Sequence, residues 1–526
     1  MNKKILTAIS FSAFLLIAPN VKAANFTDNQ TVDTNKTWTI KFTDDVEFDD
    51  ATKQGITIAD SKGTITTVGV QIGQDSKTVI VTAPQGGYTP GENYILNVGS
   101  KVHSSKGKTL KNECKVHFNI KSNNGAITFK DTNFEKMVRN KIGKTTGDIY
   151  KSDVEKITSL DVHDENISDI SGIENFTSLQ TVYLTNTQIS DISALKGLSN
   201  LQYLNLHDNP ISDIGALKGL TNLKSLSLAN SKVSDISALK GLPNLQSLSL
   251  HDNPVSDISV LKGLTNLQGL SLVNSGISDI SALPNLQYLY LDDNKISDIS
   301  TLSRLTNLEE LSLRSNQISD ISALKGLPNL KTLSLDDNKI SDISILKGLP
   351  DLQYLYLGDN PISDIGVLKG LINLQGLSLA STKVSDISAL KGLTNLQYLS
   401  LADNQVSDIS TLSGLTNLES LSLSRNQMSN IDTLKKLTSL KNIRLYDIQI
   451  SDISKLKELP SLESLYLSNI QINDISALTS ALKELIHLNH LELYNSQISD
   501  TDIQSLKQTF PRWLIQSSPD IFIKYK

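Results

Sequence analysis

Cysteine occurs once in these 526 residues, at Cys114, so no internal disulfide can brace the chain. Tryptophan occurs twice, methionine three times, and aromatic residues make up only 5%. A core built on rings is thereby excluded, and aliphatic side chains must do the packing. Positive charge is not in excess: the formal net charge is −6, which lacks the basic footprint of a nucleic-acid-binding protein. Catalytic patterns are missing as well. There is no GxSxG, HExxH or P-loop run, no pair of histidines stands at metal spacing with a third ligand, and the many serines have no paired base. No enzymatic activity, cofactor or metal is expected. Long apolar runs are limited to one, Ile5–Ala18, which follows Lys3 and Lys4 and precedes Val21-Lys22-Ala23. That is the grammar of a secretory signal over 1–23; the run is short and Ser/Thr-interrupted for a membrane anchor, and no cysteine follows it for lipid attachment.

Leucine is what the chain has in abundance, and it is periodic. The stretch Leu201–Asn222, LQYLNLHDNPISDIGALKGLTN, recurs every 22 residues from Ile157 almost to the C-terminus. Seven slots of this copy are apolar: Leu201, Leu204, Leu206, Ile211, Ile214, Leu217 and Leu220. The L-x-x-L-x-L start suits a short strand, and Asn209 falls where the chain must turn. A 22-residue unit cannot bury enough surface to order itself alone, so the copies must stack into one solenoid. Sixteen repeats start between Ile157 and Leu488. The repeat at Leu267 lacks the LKG of its neighbours, and the one at Leu462 is longer, with Ala477–His487 reading as a helix. A 44-residue alternation of Asp208-Asn209 with Asn230-Ser231 points to duplication of two-repeat blocks.

The LxxLxLxxN pattern resembles the leucine-rich-repeat family, and the continuation ISDISALKGLTN resembles the internalin type of Gram-positive surface proteins. The fold class this implies is an α/β solenoid with a parallel β-sheet on the concave side and 3-10 turns on the convex side. An aspartate ladder, Asp169, Asp191, Asp213, Asp235 and successors, precedes each I-S-x-L and suits capping of such turns.

Residues 24–123 follow other rules. Thr37–Phe42, Gly55–Ala59, Ile65–Ile72, Thr78–Thr82, Tyr94–Val98 and Lys115–Ile120 alternate with Asp/Gly/Ser turns, which predicts an all-β sandwich. The runs TVDTNKTWTIKF and YTPGENYILNV resemble the bacterial Ig-like domain of S-layer and other envelope proteins, implying spacer or adhesion work. Trp38 and Cys114 are read as buried residues of this domain. Ser122–Gly125 is a linker. Residues 126–156 are expected to form a helical cap, with a capping box Thr132–Glu135, an apolar face of Phe134, Met137, Val138 and Ile142, a stop at Gly143 and a second capping signal at Ser152–Glu155. Repeats occupy 157–509, and 510–526 is expected to be a half-repeat and cap, with Phe510, Trp513 and Ile515 in strand slots and a polar tail beyond.

Several ladders run along the repeats. Asn209, Asn253, Asn294, Asn316, Asn338, Asn360, Asn404 and Asn426 suit satisfaction of buried backbone groups. Lys196, Lys218, Lys240, Lys262, Lys325, Lys347, Lys369 and Lys391 read as a solvated edge, with a cell-wall polymer as a further candidate partner. Asp208, Asp252, Asp293, Asp337, Asp359 and Asp403 lie at strand exits, mostly two repeats apart, which is too sparse for calcium. The outward strand slots carry the variation that points to a ligand. Tyr288, Tyr290, Glu310, Arg314, Asp336, Tyr354 and Tyr356 form the richest patch, of the composition a protein or glycan ligand anchors on. The expectation is a secreted or envelope-associated monomer that binds a macromolecule on its concave face; the alternative is a structural or assembly spacer. No LPxTG-type signal follows the repeats, so covalent anchoring is not expected.

Overall fold

The structure is a computed structural model that describes residues 14–17, 28–110, 112–121, 125–163, 166–283, 286–450, 452–470, 475–494, 499–510, 513–515 and 520–525. Most of the expected signal segment, and residues 122–124 of the expected linker, lie outside the described residues. The chain divides into two units: residues 1–127 with 147–151, and residues 128–146 with 152–526.

The first unit is a two-sheet β structure. One sheet pairs Trp38–Phe42, Thr78–Thr82 and Gly69–Ile72 antiparallel, with Phe14–Ile17 parallel to Trp38–Phe42. The other orders Gln30–Val32, Cys114–Ile120, Asn93–Val98, Ile56–Asp60 and Ile65–Thr66. The run read as one strand, Ile65–Ile72, is therefore split between the two sheets. Alternation places Trp38, Ile40 and Val81 of one sheet against Ile58, Leu96 and Phe118 of the other, all buried. Trp38 is a core residue, its ring centroid 4.7 Å from that of Phe118. Cys114 departs from its expected burial: it opens its strand and is half-buried, and burial pushes its thiol pKa up.

In the second unit, sixteen strands from Ser159–His163 to His490–Tyr494 pair in parallel, each with the next. Leu204 stands opposite Leu226, and Leu226 opposite Leu248, one repeat apart each time. All seven apolar slots of the reference repeat are buried. The convex side is built of 3-10 turns, such as Ser237–Gly241 and Ser322–Gly326. The aspartate ladder caps them: Asp191 Oδ1 accepts the Ser193 N–H at 2.8 Å, and Asp235 and Asp257 hold Ser237 and Ser259 in the same way. The lysine ladder stands exposed on these turns.

The asparagine ladder closes the strand exits. Asn338 Nδ2 donates to the carbonyls of Leu313, Leu335 and Asp336 at 2.9, 3.1 and 3.2 Å, while its Oδ1 accepts Ile318 N–H at 3.0 Å. One buried amide thus joins neighbouring coils. The residue before it adopts the left-handed conformation in repeat after repeat: Asp208, Asp252, Asp293, Asp337, Asp359 and Asp403 all have φ between 53° and 58°. Asp and Asn tolerate that region better than other residues with a side chain. The strand-exit aspartates therefore have a backbone role that their spacing did not disclose.

Repeat irregularities sit at the convex side and the ends. The short repeat keeps its strand register, with Gly269, Leu270 and Ser271 opposite Tyr288, Leu289 and Tyr290. Its loss is taken up by Ser281-Ala282, which makes a simple turn where the neighbours have a 3-10 helix. The long repeat carries an α-helix, Ile475–Glu484. At the leading end, the helix Thr132–Ile142 buries Phe134 and Val138 and stops at Gly143, whose φ is 67°. Its N-cap is Asp131, one residue before the expected capping box: Oδ1 accepts Asn133 and Phe134 N–H, and Oδ2 accepts Ser168 N–H of the first coil at 2.8 Å. Glu135 pairs with Arg139 instead of reaching back. Ser152 lies inside a short helix, Lys151–Val154, and does not cap it.

The trailing end corrects the expected half-repeat. After the helix Asp500–Thr509, Trp513–Ile515 pairs antiparallel with Asp520–Tyr525, which itself pairs antiparallel with His490–Tyr494. Phe510 ends the helix and is in no strand. A hairpin reverses direction within a few residues, whereas a further parallel strand would need another crossover. The alternating IFIKY within the expected polar tail is what makes the pairing strand.

Candidate ligand-binding face

Most solenoid strands have two outward slots, one on either side of a buried leucine. In Tyr288–Tyr290 the central Leu289 is fully buried, and the tyrosines face away from the core. In-register pairing turns these slots into two rows. The first runs Tyr288, Glu310, Thr332, Tyr354; the second runs Tyr290, Ser312, Ser334, Tyr356. Five of the seven residues singled out in the sequence therefore lie in two adjacent rows, over about 14 Å at ~4.8 Å per strand. A tyrosine pair closes each end, and Glu310, Ser312, Thr332 and Ser334 form the floor between them.

Arg314 and Asp336 stand one slot further along, at the strand exits. Arg314 is exposed. Asp336 is half-buried and engaged: Oδ1 accepts the Gly358 N–H at 2.8 Å and Oδ2 accepts the Ser334 hydroxyl at 3.0 Å. Asp292 makes a related link in an earlier coil, with both partners in the next one: its Oδ1 accepts the Arg314 N–H at 2.7 Å and the Ser312 hydroxyl at 2.5 Å. These carboxylates splice the exits of successive strands while lining the face. Burial raises the Asp336 pKa above the usual carboxylate value. Burial, and then the neighbouring Glu310 carboxylate, lift the Tyr290 phenol to about 12. Tyr356 is raised for the same first reason. Both phenols are neutral hydrogen-bonding groups on this surface at physiological pH.

The small residues beyond the strip have a job that the sequence did not reveal. A Cβ on Gly376 would meet Tyr354 Cδ1 at 2.8 Å, so the Tyr354 ring takes the space above the glycine. The same tyrosine donates its hydroxyl to Gln375 Oε1 at 3.1 Å. Ser378, Ser400 and Ser422 in the second row are buried. Tyr288 has an open neighbourhood and is 40% exposed. A tyrosine followed 22 residues later by glycine was the available signal.

A second ordered cluster lies further along. Arg444 sits over the Tyr466 ring at 4.9 Å, Tyr446 meets that ring edge-on at 6.4 Å, and His490 lies 4.9 Å beyond it. Arg425 bridges Asp403 and Asp447 at 3.3 and 2.9 Å. Among the described residues, no three His, Cys, Asp or Glu side chains group as a metal would require.

A family profile described as Leucine Rich repeats (2 copies) matches residues 199–241, 243–285, 284–326, 328–370, 372–414 and 416–458. Among solved structures, an internalin (inlF) from Listeria monocytogenes is 34% identical, with 66% of this chain and 96% of that one covered and a TM-score of 0.54. The chain belongs to the internalin-like leucine-rich-repeat family. Two more distant structures share the solenoid fold. The functional domain of InlJ from Listeria monocytogenes is 24% identical, covering 70% of this chain and 81% of that one, at a TM-score of 0.57. The leucine-rich-repeat ectodomain of the plant receptor kinase GASSHO1/SCHENGEN3 from Arabidopsis thaliana is 22% identical, covering 66% and 46%, at 0.52. No curated protein sequence matches the chain significantly. InlJ is described as including a cysteine ladder; the one cysteine of this internalin-like chain precedes its repeats. No helix among the described residues is long and apolar enough to cross a membrane.

Proposed function

We propose that this internalin-like chain is a secreted or cell-envelope adhesion protein whose concave face recognises a macromolecular ligand, with Tyr288, Tyr290, Glu310, Arg314, Asp336, Tyr354 and Tyr356 at the centre of the site. The observation that carries this reading is the in-register pair of tyrosine rows flanking a floor of small and acidic side chains. Rings on paired strands are rigid anchors that lose little side-chain entropy on binding, and interface energy concentrates in such residues. A protein ligand is favoured over a glycan here, because tyrosines and an arginine are the residues enriched at protein interfaces; the carboxylates Glu310 and Asp336 would serve as polar contacts beside them. The plant receptor of the same fold was solved with a bound partner, a fold-level analogy only. In this reading residues 1–23 are the leader, 24–123 an Ig-like spacer of the Gram-positive envelope type, and the working protein a monomer.

The test is capture of partners by the full chain from intact host cells and, separately, from isolated cell wall. Replacement of Tyr290 and Tyr356 by serine should weaken capture at least about tenfold, while Lys240→Ser with Lys262→Ser on the convex side should leave it unchanged. Loss of binding in the lysine pair and not in the tyrosine pair would overturn the concave-face reading, and absence of any capture would favour a structural spacer.

A further inference from the structure

Beside the first strands of the solenoid lies a recess of about 300 Å³ whose walls are amides. Asn200, Asn222 and Asn244 form one side. Each donates its Nδ2 to a backbone carbonyl of the preceding coil: Thr177 at 2.8 Å, Ser199 at 2.9 Å and Thr221 at 2.9 Å. That bond fixes the amide plane and leaves the Oδ1 atoms as a rigid row of acceptors, one per coil. Gln180, Gln202 and Gln246 form the other side. Gln202 Oε1 is held by Lys224 Nζ at 2.9 Å, which leaves its Nε2 as a positioned donor. No aliphatic side chain lines the recess, and its one cation, Lys224, already faces an amide oxygen. The next residue after Gln202 is Tyr203, 43% exposed, whose register neighbours are the short Thr181 and Ser225. Its ring is open to solvent, one residue along the chain from the Gln202 amide.

We propose that this recess binds a neutral oligosaccharide, independently of the tyrosine strip. A side-chain amide is donor and acceptor together, and so is each hydroxyl of a sugar. Rows of amides repeating at ~4.8 Å therefore suit a ligand whose hydroxyls repeat along its length. The exposed Tyr203 ring offers the apolar face on which a sugar's C–H side can rest. A polyanion is disfavoured because the only cation is engaged, and an apolar peptide because the walls give it nothing to bury. The amide pattern is interrupted by ion pairs, Lys331 with Glu309 at 2.7 Å and Lys441 with Glu419 at 2.8 Å, and returns at Gln353, Gln375 and Gln397, where the Gln375 Oε1 is already taken by the Tyr354 hydroxyl at 3.1 Å.

Saturation-transfer NMR on the full chain, with millimolar maltotetraose, cellotetraose and chitotetraose as probes and a sulfated heparin tetrasaccharide as the anionic counterpart, tests the assignment. Transfer to at least one neutral probe is expected, with affinity lowered about tenfold or more by Gln180→Ala with Gln246→Ala, and similarly by Tyr203→Ser. These side chains are at the surface, and an unchanged melting temperature will establish that the variants are folded. Gln397→Ala, in the same ladder but far along, should leave binding intact. Transfer to none of the neutral probes, transfer to the sulfated probe alone, or equal losses from Gln397→Ala would each overturn the proposal.

Discussion

Tyr354 and Gly376, on adjacent strands, are matched so closely that a methyl group on the glycine would fall 2.8 Å from the Tyr354 ring. The tyrosine's orientation is therefore set by the absence of a side chain one repeat later, together with the bond from its hydroxyl to Gln375.

Gly376→Ala should expel the ring and break that hydrogen bond. The cost to stability is expected to be small, about 1–2 kcal/mol, because a half-exposed ring has somewhere to go. Ligand affinity should nonetheless fall as far as in Tyr354→Ser. Urea denaturation alongside a binding assay checks both halves; a folded variant with full affinity would show that the orientation is irrelevant.

Asn338→Ala removes one buried side chain that serves four backbone groups. Leaving them unsatisfied should cost about 2–4 kcal/mol. Asn338→Ser should cost less, since Ser275 fills the same slot and its hydroxyl approaches the Leu250 and Val273 carbonyls at 3.4 and 3.3 Å. Equilibrium unfolding of the two variants should rank them in that order.

The short repeat offers a test of shape without a change of face. Inserting Leu-Lys-Gly after Leu283 lengthens only the convex side, because the strand pairing of Gly269–Ser271 with Tyr288–Tyr290 is already regular. Melting temperature should stay nearly constant while affinity for the concave-face ligand changes, the bend lying next to Tyr288 and Tyr290. Unaltered affinity would make the deletion a neutral one.

Acid stability follows from the convex aspartates. Asp191, Asp235, Asp257, Asp298, Asp342, Asp386 and Asp408 all have pKa values below normal, chiefly because each accepts a backbone N–H two residues on. A depressed folded-state pKa gives stability that is present above the unfolded value of about 3.9 and is lost as pH falls through the folded one. Asp336, raised by burial, works in the opposite sense, but it is one group against seven. Thermal melts should therefore be flat near neutrality and drop once the pH passes below about 4.

Much of this molecule was legible because each slot is written many times. Leucine and isoleucine positions predicted the strands and the core, the asparagine ladder predicted its own backbone bonds, and the aspartates predicted the capped 3-10 turns. What escaped was singular or spanned two repeats. Thr132–Glu135 matched a capping-box pattern, yet Asp131 won the cap because its carboxylate also reaches Ser168 of the first coil. The terminal hairpin has no counterpart among the repeats, so periodicity pointed to a parallel strand instead. At the candidate face the tyrosines stood out individually, but their seat at Gly376 lies 22 residues away and only the register joins the two. The left-handed corner at Asp208 and its equivalents was likewise hidden, since a carboxylate in sequence suggests charge before it suggests backbone conformation.

The one-repeat offset of the strand pairing has a genetic consequence. Every bond that the Asn338 amide makes has an equivalent in the coils of Asn316 and Asn360. Unequal crossing-over between near-identical coding units would therefore add or delete whole coils without creating a mismatched junction, and in blocks of two it would also conserve the alternation at 208–209 and 230–231. Lineages could lengthen or shorten the sheet this way, moving the tyrosine strip nearer to or farther from the amide recess in increments of ~4.8 Å. The separation of two candidate sites would then evolve by copy number, with no point mutation needed in either.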